Sequence, residues 1–159
     1  MKTTIMVLLL GLWSMTAAGF EVSQYTFTWN IAAAGRAALD IEKTPEGSYV
    51  ILKATQRVTG GRLKLTPSEA EALAQVFLRV DEFHQQMRDK RSDSAKVMAE
   101  QYEVTFSISS SGFWVTITPP NSLMGLGSIA LDREGIKVVT PAMLEASQRV
   151  KYFEERILF

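Results

Sequence analysis

The sequence predicts an α+β fold of two ββββα repeats, each an antiparallel four-stranded sheet with a packed helix. Three observations lead there. Short segments alternate apolar and polar residues between turn signals. Two other stretches repeat apolar residues every three or four positions, as a helix with one buried face does. Both series occur twice, in the same order. With 159 residues, 47% of them hydrophobic and 21% charged, the chain is sized for one domain with a substantial core.

Residues 1–19 stand apart. Lys2 precedes the apolar run "IMVLLLGLW", then "TAAG" leads to Phe20. This is the charged, apolar and small-residue order of a secretory signal peptide, and its apolar run is too short to span a bilayer. Cleavage predicts a mature chain from about Phe20, secreted or periplasmic and without an integral membrane span. A start at Met15 would instead give a cytoplasmic chain with no leader.

In the first unit, residues 20–90, "VSQYTFTWN" alternates Val22, Tyr25, Phe27 and Trp29 for the most part as a strand does. Gly35 follows as a hairpin tip, where glycine supplies the positive φ a tight turn needs. "RAALDIE" returns with Ala37, Leu39 and Ile41 on one face and Arg36, Ala38 and Asp40 on the other. "KTPEGS" turns into "YVILKATQRV", and "TGG" turns into "RLKL". A helix then starts with Thr66 as N-cap, Pro67 at its first position and Glu69 completing a capping box. Leu73, Val76, Val80, Phe83 and Met87 form its apolar stripe. Residues 88–99, "RDKRSDSAKVMA", read as a helix tail and linker.

The second unit, residues 100–159, opens with "QYEVTFSIS", followed by "SSG", "FWVTITP", "PNS" and "LGSIALD". "REG" leads to a fourth strand, "IKVV", and Thr140-Pro141 opens the second helix. Its stripe is Met143, Ala146, Val150, Phe153 and Ile157. The repeat aligns Gly35 with Gly112, 77 residues apart, and Gly61 with Gly135 and Pro67 with Pro141, each 74 apart.

Little in the chain suggests catalysis. It has no cysteine and one histidine, His84, so thiolate chemistry is excluded and histidine-based chemistry is poorly served. No phosphate-binding glycine loop, G-x-S-x-G segment or metal-ligand spacing occurs. "MGLGS" reads as a glycine-relieved strand or bulge. Asp81, Glu82, Glu154 and Glu155 read as solvated helix faces. The expectation is a non-enzyme without cofactor or metal.

Net charge is zero, but the cations are unevenly placed. Arg36, Lys43, Lys53, Arg57, Arg62 and Lys64 outnumber Asp40, Glu42 and Glu46 in the first sheet. Residues 100–140 lean acidic, with Glu100, Glu103, Asp132 and Glu134 against Arg133 and Lys137. Arg62 and Lys64 share a strand face, because strand side chains repeat every two residues. A basic sheet with rings nearby can hold a single strand, cations on phosphates and rings on bases. The candidate nucleic-acid set is Arg36, Lys53, Arg57, Arg62 and Lys64, with Trp29 or Tyr49 stacking. Its rival is a solvated face whose cations discourage edge pairing, on a secreted or periplasmic protein-interaction or scaffold module. A helix-on-sheet protein with an apolar pocket is a third reading.

The hairpin run Gly35, Arg36, Ala37, Ala38 and Leu39, within two ββββα units, resembles the Whirly family of single-stranded-DNA-binding proteins. Their signature at this hairpin is lysine-glycine-lysine-alanine-alanine-leucine. Here Ala34 stands for the first lysine and Arg36 for the second. Mitochondrial RNA-binding proteins of trypanosomes are similar in plan. The resemblance spans residues 22–157 in plan and the hairpin in motif. It implies a pinwheel-like homo-oligomer, usually a tetramer, holding single-stranded DNA or RNA along its sheets with little sequence preference.

Overall fold

The computed structural model describes residues 24–55, 61–122 and 127–156. The leader, Arg57 and Ile157 lie outside the described residues. The first sheet is formed by β1 (Phe27–Ala34), β2 (Ala37–Thr44), β3 (Gly47–Ala54) and β4 (Gly61–Leu65). Two helices follow, α1 (Pro67–Phe77) and α2 (Val80–Met87). The second sheet contains β5 (Asp93–Ala99), β6 (Tyr102–Ser109), β7 (Gly112–Thr118) and β8 (Ile129–Asp132), and is followed by α3 (Arg133–Leu144) and α4 (Ala146–Glu154). Both sheets are antiparallel in simple sequence order. The α+β class and the two ββββα units therefore hold, with each helix divided into two segments.

Local chemistry explains most boundaries. Gly35 lies at φ +54° between β1 and β2, the conformation its hairpin position calls for. Thr66 Oγ1 accepts from Glu69 N at 3.2 Å, while Thr66 N donates to Glu69 Oε2 at 2.7 Å. The capping box read from the sequence is thus complete. Of the predicted stripe, Leu73, Val80, Phe83 and Met87 are buried.

The internal repeat needs a different alignment. Residues 93–99, expected to be linker, form β5, and "IKVV", expected to be a strand, lies inside α3. The equivalent turn residues are Gly35 and Glu100, each at positive φ, 65 positions apart. Gly47 and Gly112, also 65 apart, each open the third strand of a sheet. The helix caps are Thr66 and Asp132, whose side chain accepts from Gly135 N at 2.8 Å. Pro141 is therefore not a helix start; it sits within α3. Two physical causes hid this order. β5 carries only Ala95, Val97 and Ala99 on its inward face, a weak hydrophobic signal. A run as short as "IKVV" has no periodicity that separates strand from helix.

The helices are exchanged between units. Helix α2 packs beneath the second sheet, with Phe83 and Phe106 rings stacked at 4.2 Å. Helices α3 and α4 pack beneath the first sheet: Phe153 stacks on Trp29 at 4.7 Å, and Glu154 accepts from Ser48 Oγ at 2.6 Å and Lys43 Nζ at 3.3 Å. Helix α1 lies against α3 and α4. Buried residues from both units form one core cluster, so neither sheet has a closed core of its own.

Strand β8 crosses the end of the first sheet. That end is a row of small residues, Ala34, Ala37, Ala54 and Gly61, paired across all four strands. A Cβ on Gly61 would lie 2.5 Å from Ile129 Cγ2, and one on Gly135 would lie 2.6 Å from the Ala37 Cβ. Small side chains are what let the second unit approach this closely.

Candidate nucleic-acid interface

The register of the first sheet assigns its outer face. One row is Ala38, Lys53 and Arg62; the next is Asp40, Ile51 and Lys64; the next pairs Glu42 with Tyr49. Four candidates, Lys53, Arg62, Lys64 and Tyr49, therefore share one surface, as strand periodicity anticipated for Arg62 and Lys64.

That surface is not a bare basic patch. Lys53 is ion-paired with Asp40, whose other oxygen accepts from Asn30 Nδ2 at 2.8 Å. Arg62 Nη2 pairs with Glu42 Oε2 at 3.0 Å. The register separates Arg62 and Glu42 by two strands and two rows, so their side chains run diagonally across Ile51. This cover, with the Lys53 stem beside it, accounts for Asp40 at 4% and Ile51 at 0% exposure on an outward face. Lys64 has no carboxylate partner among the described residues; its ammonium lies 3.7 Å from the Tyr49 ring centroid. Exposed ion pairs of this kind contribute about 0–1 kcal/mol each, and an exposed cation over a ring about 0.5–1 kcal/mol. Their larger effect is to hold long side chains in place.

The other candidates are distributed differently. Trp29 is paired with Ile41 and faces the core side of the sheet, stacked on Phe153. It cannot share a ligand with Tyr49 across a sheet, so its expected stacking role is withdrawn. Lys43 likewise faces inward, to Glu154. Within the hairpin motif Ala37 and Leu39 are buried and Ala38 is half-buried. The room made by Ala37 is taken by Gly135 of α3, so it is not clearance for an anion. Arg57 lies outside the described residues.

Arg36 reaches the other unit. Its guanidinium carbon is 5.0 Å from the ring centroid of Trp114, which stands on the outer face of the second sheet in the row of Ser94, Ser107 and Asp132. Arg36 thus joins the outer faces of both sheets, with Tyr49 toward one end and Trp114 at the other. The next row of the second sheet contains Lys96, Thr105, Thr116 and Ala130, and Lys96 is paired with Glu103 at 2.9 Å. Trp114 is the residue the sequence reading missed. The alternation in "FWVTIT" opposes it to Phe113, but does not say which of the two faces outward.

Elsewhere, Asp81 of α2 receives Lys137 Nζ at 3.0 Å and Arg133 Nε at 2.6 Å, both from α3. The hydrogen bond from Lys137, then that from Arg133, hold its carboxyl below the usual aspartate range. An open apolar groove of about 230 Å³ lies alongside, lined by Phe77, Leu78, Val80, Pro141 and Leu144 among others. It runs between helices, not between a curved sheet and the C-terminal helix as the pocket reading required. Among the described residues no group of three or more His, Cys, Asp or Glu side chains could hold a metal ion. No described helix is long and apolar enough to cross a membrane. No protein-family model matches the chain, and no curated protein is similar to it in sequence.

Proposed function

We propose that the protein is a non-enzymatic recognition module, secreted or periplasmic, that binds another protein across the outer faces of its two sheets. The observation carrying this reading is the arrangement of Arg36 on Trp114 and Lys64 on Tyr49, with the neighbouring cations Lys53 and Arg62 already neutralised by carboxylates. Tyrosine, tryptophan and arginine on a rigid support are the residue types that dominate protein interfaces. A polyanion gains affinity by meeting unneutralised cations and releasing their counterions. On this surface it would have to displace Asp40 and Glu42 first.

The second reading is single-stranded DNA or RNA, along the lines of the Whirly resemblance. Arg36 and Lys64 favour it, since both are held by rings and neither has a carboxylate partner among the described residues. Photo-crosslinking separates the two. A photoreactive residue at Thr28, in the Tyr49 row, and another at Thr116, beside Trp114, should capture the same protein in the producing cells. One at Lys90 should not. Nucleic-acid adducts would sink the protein reading, as would low-salt binding of single-stranded oligonucleotides that Arg36→Ala and Lys64→Ala abolish.

A further inference from the structure

Aspartate is depleted in strands, and a carboxylate taken out of water is costly unless it is paired and hydrogen-bonded. Asp40 stands in β2, between β1 and β3, and is 4% exposed although it lies on the outer face of the first sheet. Its neighbour in the row, Ile51, shows that an apolar side chain fits beneath the same cover. Stability alone gives no reason for a carboxylate here, since a well-packed apolar residue in place of a buried ion pair is commonly neutral or stabilising. Departures from local folding rules are expected at functional sites.

What Asp40 does is hold two side chains that reach solvent. One oxygen accepts from Asn30 Nδ2 at 2.8 Å and the other from Lys53 Nζ. Asn30 is exposed, and the Lys53 side chain is 43% exposed. A carboxamide carries its oxygen on the side opposite its nitrogen. Tethering Nδ2 to Asp40 therefore turns Asn30 Oδ1 away from it, and that oxygen has no hydrogen-bond partner among the described residues. Lys53 has three donors, one of them on Asp40. A single carboxylate thus sets an acceptor and a donor side by side, the two nitrogens within about 7 Å of each other by ordinary hydrogen-bond lengths. They occupy the middle of the outer surface. The row of Asn30 and Asp40 separates that of Tyr49 from that of Lys53 and Arg62, and Arg36 lies beyond.

We propose that Asn30 and Lys53 clamp the main chain of an extended segment of the partner protein, with Asp40 as the positioning residue that sets them. This rests on the protein-binding reading above and deepens it. Asn30 Oδ1 accepts a backbone N–H, and Lys53 donates to a backbone C=O. Alternate residues of an extended chain turn such groups to one side at intervals of about 7 Å. Charge selects the occupant. Asp40 neutralises Lys53, so an uncharged amide meets both groups without opposition. A carboxylate or phosphate on Lys53 would lie beside the Asp40 carboxylate and be repelled by it.

Asn30→Ala and Asp40→Val test this with the photoreactive residue at Thr28. Each should lower the yield of the protein adduct several-fold while the urea midpoint is kept. The midpoint holds in Asp40→Val because the half-exposed Lys53 turns to water and leaves no buried charge unpaired. The partner segment joined at Thr28 is then made as a peptide and N-methylated one residue at a time. At one position methylation should weaken binding about tenfold, as loss of one hydrogen bond does, and should have no effect on binding to Asn30→Ala. Full adduct yield in both variants overturns the proposal, as does adduct loss that tracks a lower midpoint. So does a peptide that fails to bind, or one with no methylation-sensitive position coupled to Asn30. No protein adduct without these substitutions sinks the protein-binding reading itself, and the clamp with it.

Discussion

At the scale of single residues, the hairpin tip shows how a local requirement and a long-range contact coincide. Gly35 needs its positive φ for the turn, and a Cβ there would lie 2.9 Å from Asp132 Oδ2. Gly35→Ala should therefore destabilise by at least the ~1–2 kcal/mol that left-handed geometry costs a residue with a Cβ. Urea unfolding measures it; a change near zero would mean the turn rearranges freely. The adjacent Arg36 is different. Its partner, Trp114, lies in the other sheet, and Arg36→Ala should reduce stability by no more than about 0.5–1 kcal/mol. A larger loss would make Arg36 a structural residue and weaken its place in the proposed recognition surface.

At the scale of elements, caps explain helix starts better than proline does. Thr66→Ala removes the acceptor for Glu69 N and should cost about 1 kcal/mol, read as a lower urea midpoint with an unchanged slope. Thr66 and its capping box were legible because all their partners lie within one turn. The start of α3 was not, because Asp132 ends one element and begins the next, while Thr140-Pro141 has the composition of a helix start in the middle of a helix. The same limit applied to β5. Its small inward residues are adequate for a sheet covered by large side chains from α2, but they leave little pattern to detect in the strand alone.

For the whole molecule, the exchange of helices is the organising fact. Residues 20–90 contain a sheet whose apolar face is covered by α3 and α4 from the other half. Expressed alone, they should lack a cooperative unfolding transition, and addition of residues 91–159 should restore it. Independent folding of either half would contradict the shared core. The Asp81 contacts with Arg133 and Lys137 fasten α2 to α3 across the units. Because its carboxyl is held low in the folded state, the stabilisation is present above the unfolded aspartate value of about 3.9. It is lost as pH falls through the lower folded value. Asp81→Asn should flatten the acid limb of the stability profile below about pH 4 and leave the fold intact; an unchanged limb would remove Asp81 from the account.

Taken alone, the sequence determined the properties set within a few residues: alternating strands, three-four helical stripes, the Gly35 turn, the Thr66 cap and the doubling of the ββββα plan. Periodicity records that a face is apolar, but not which element covers it. Only the tertiary structure decided that each unit shelters its sheet with helices from the other. Likewise, a count of cations in the first sheet records charge but not its neutralisation. Lys53 and Arg62 found Asp40 and Glu42 because strand register brought them onto one face, and Ala37, next to Arg36, is small where Gly135 of α3 approaches it. Contacts between residues far apart in the chain depend on that packing, and no local pattern in the sequence encodes them.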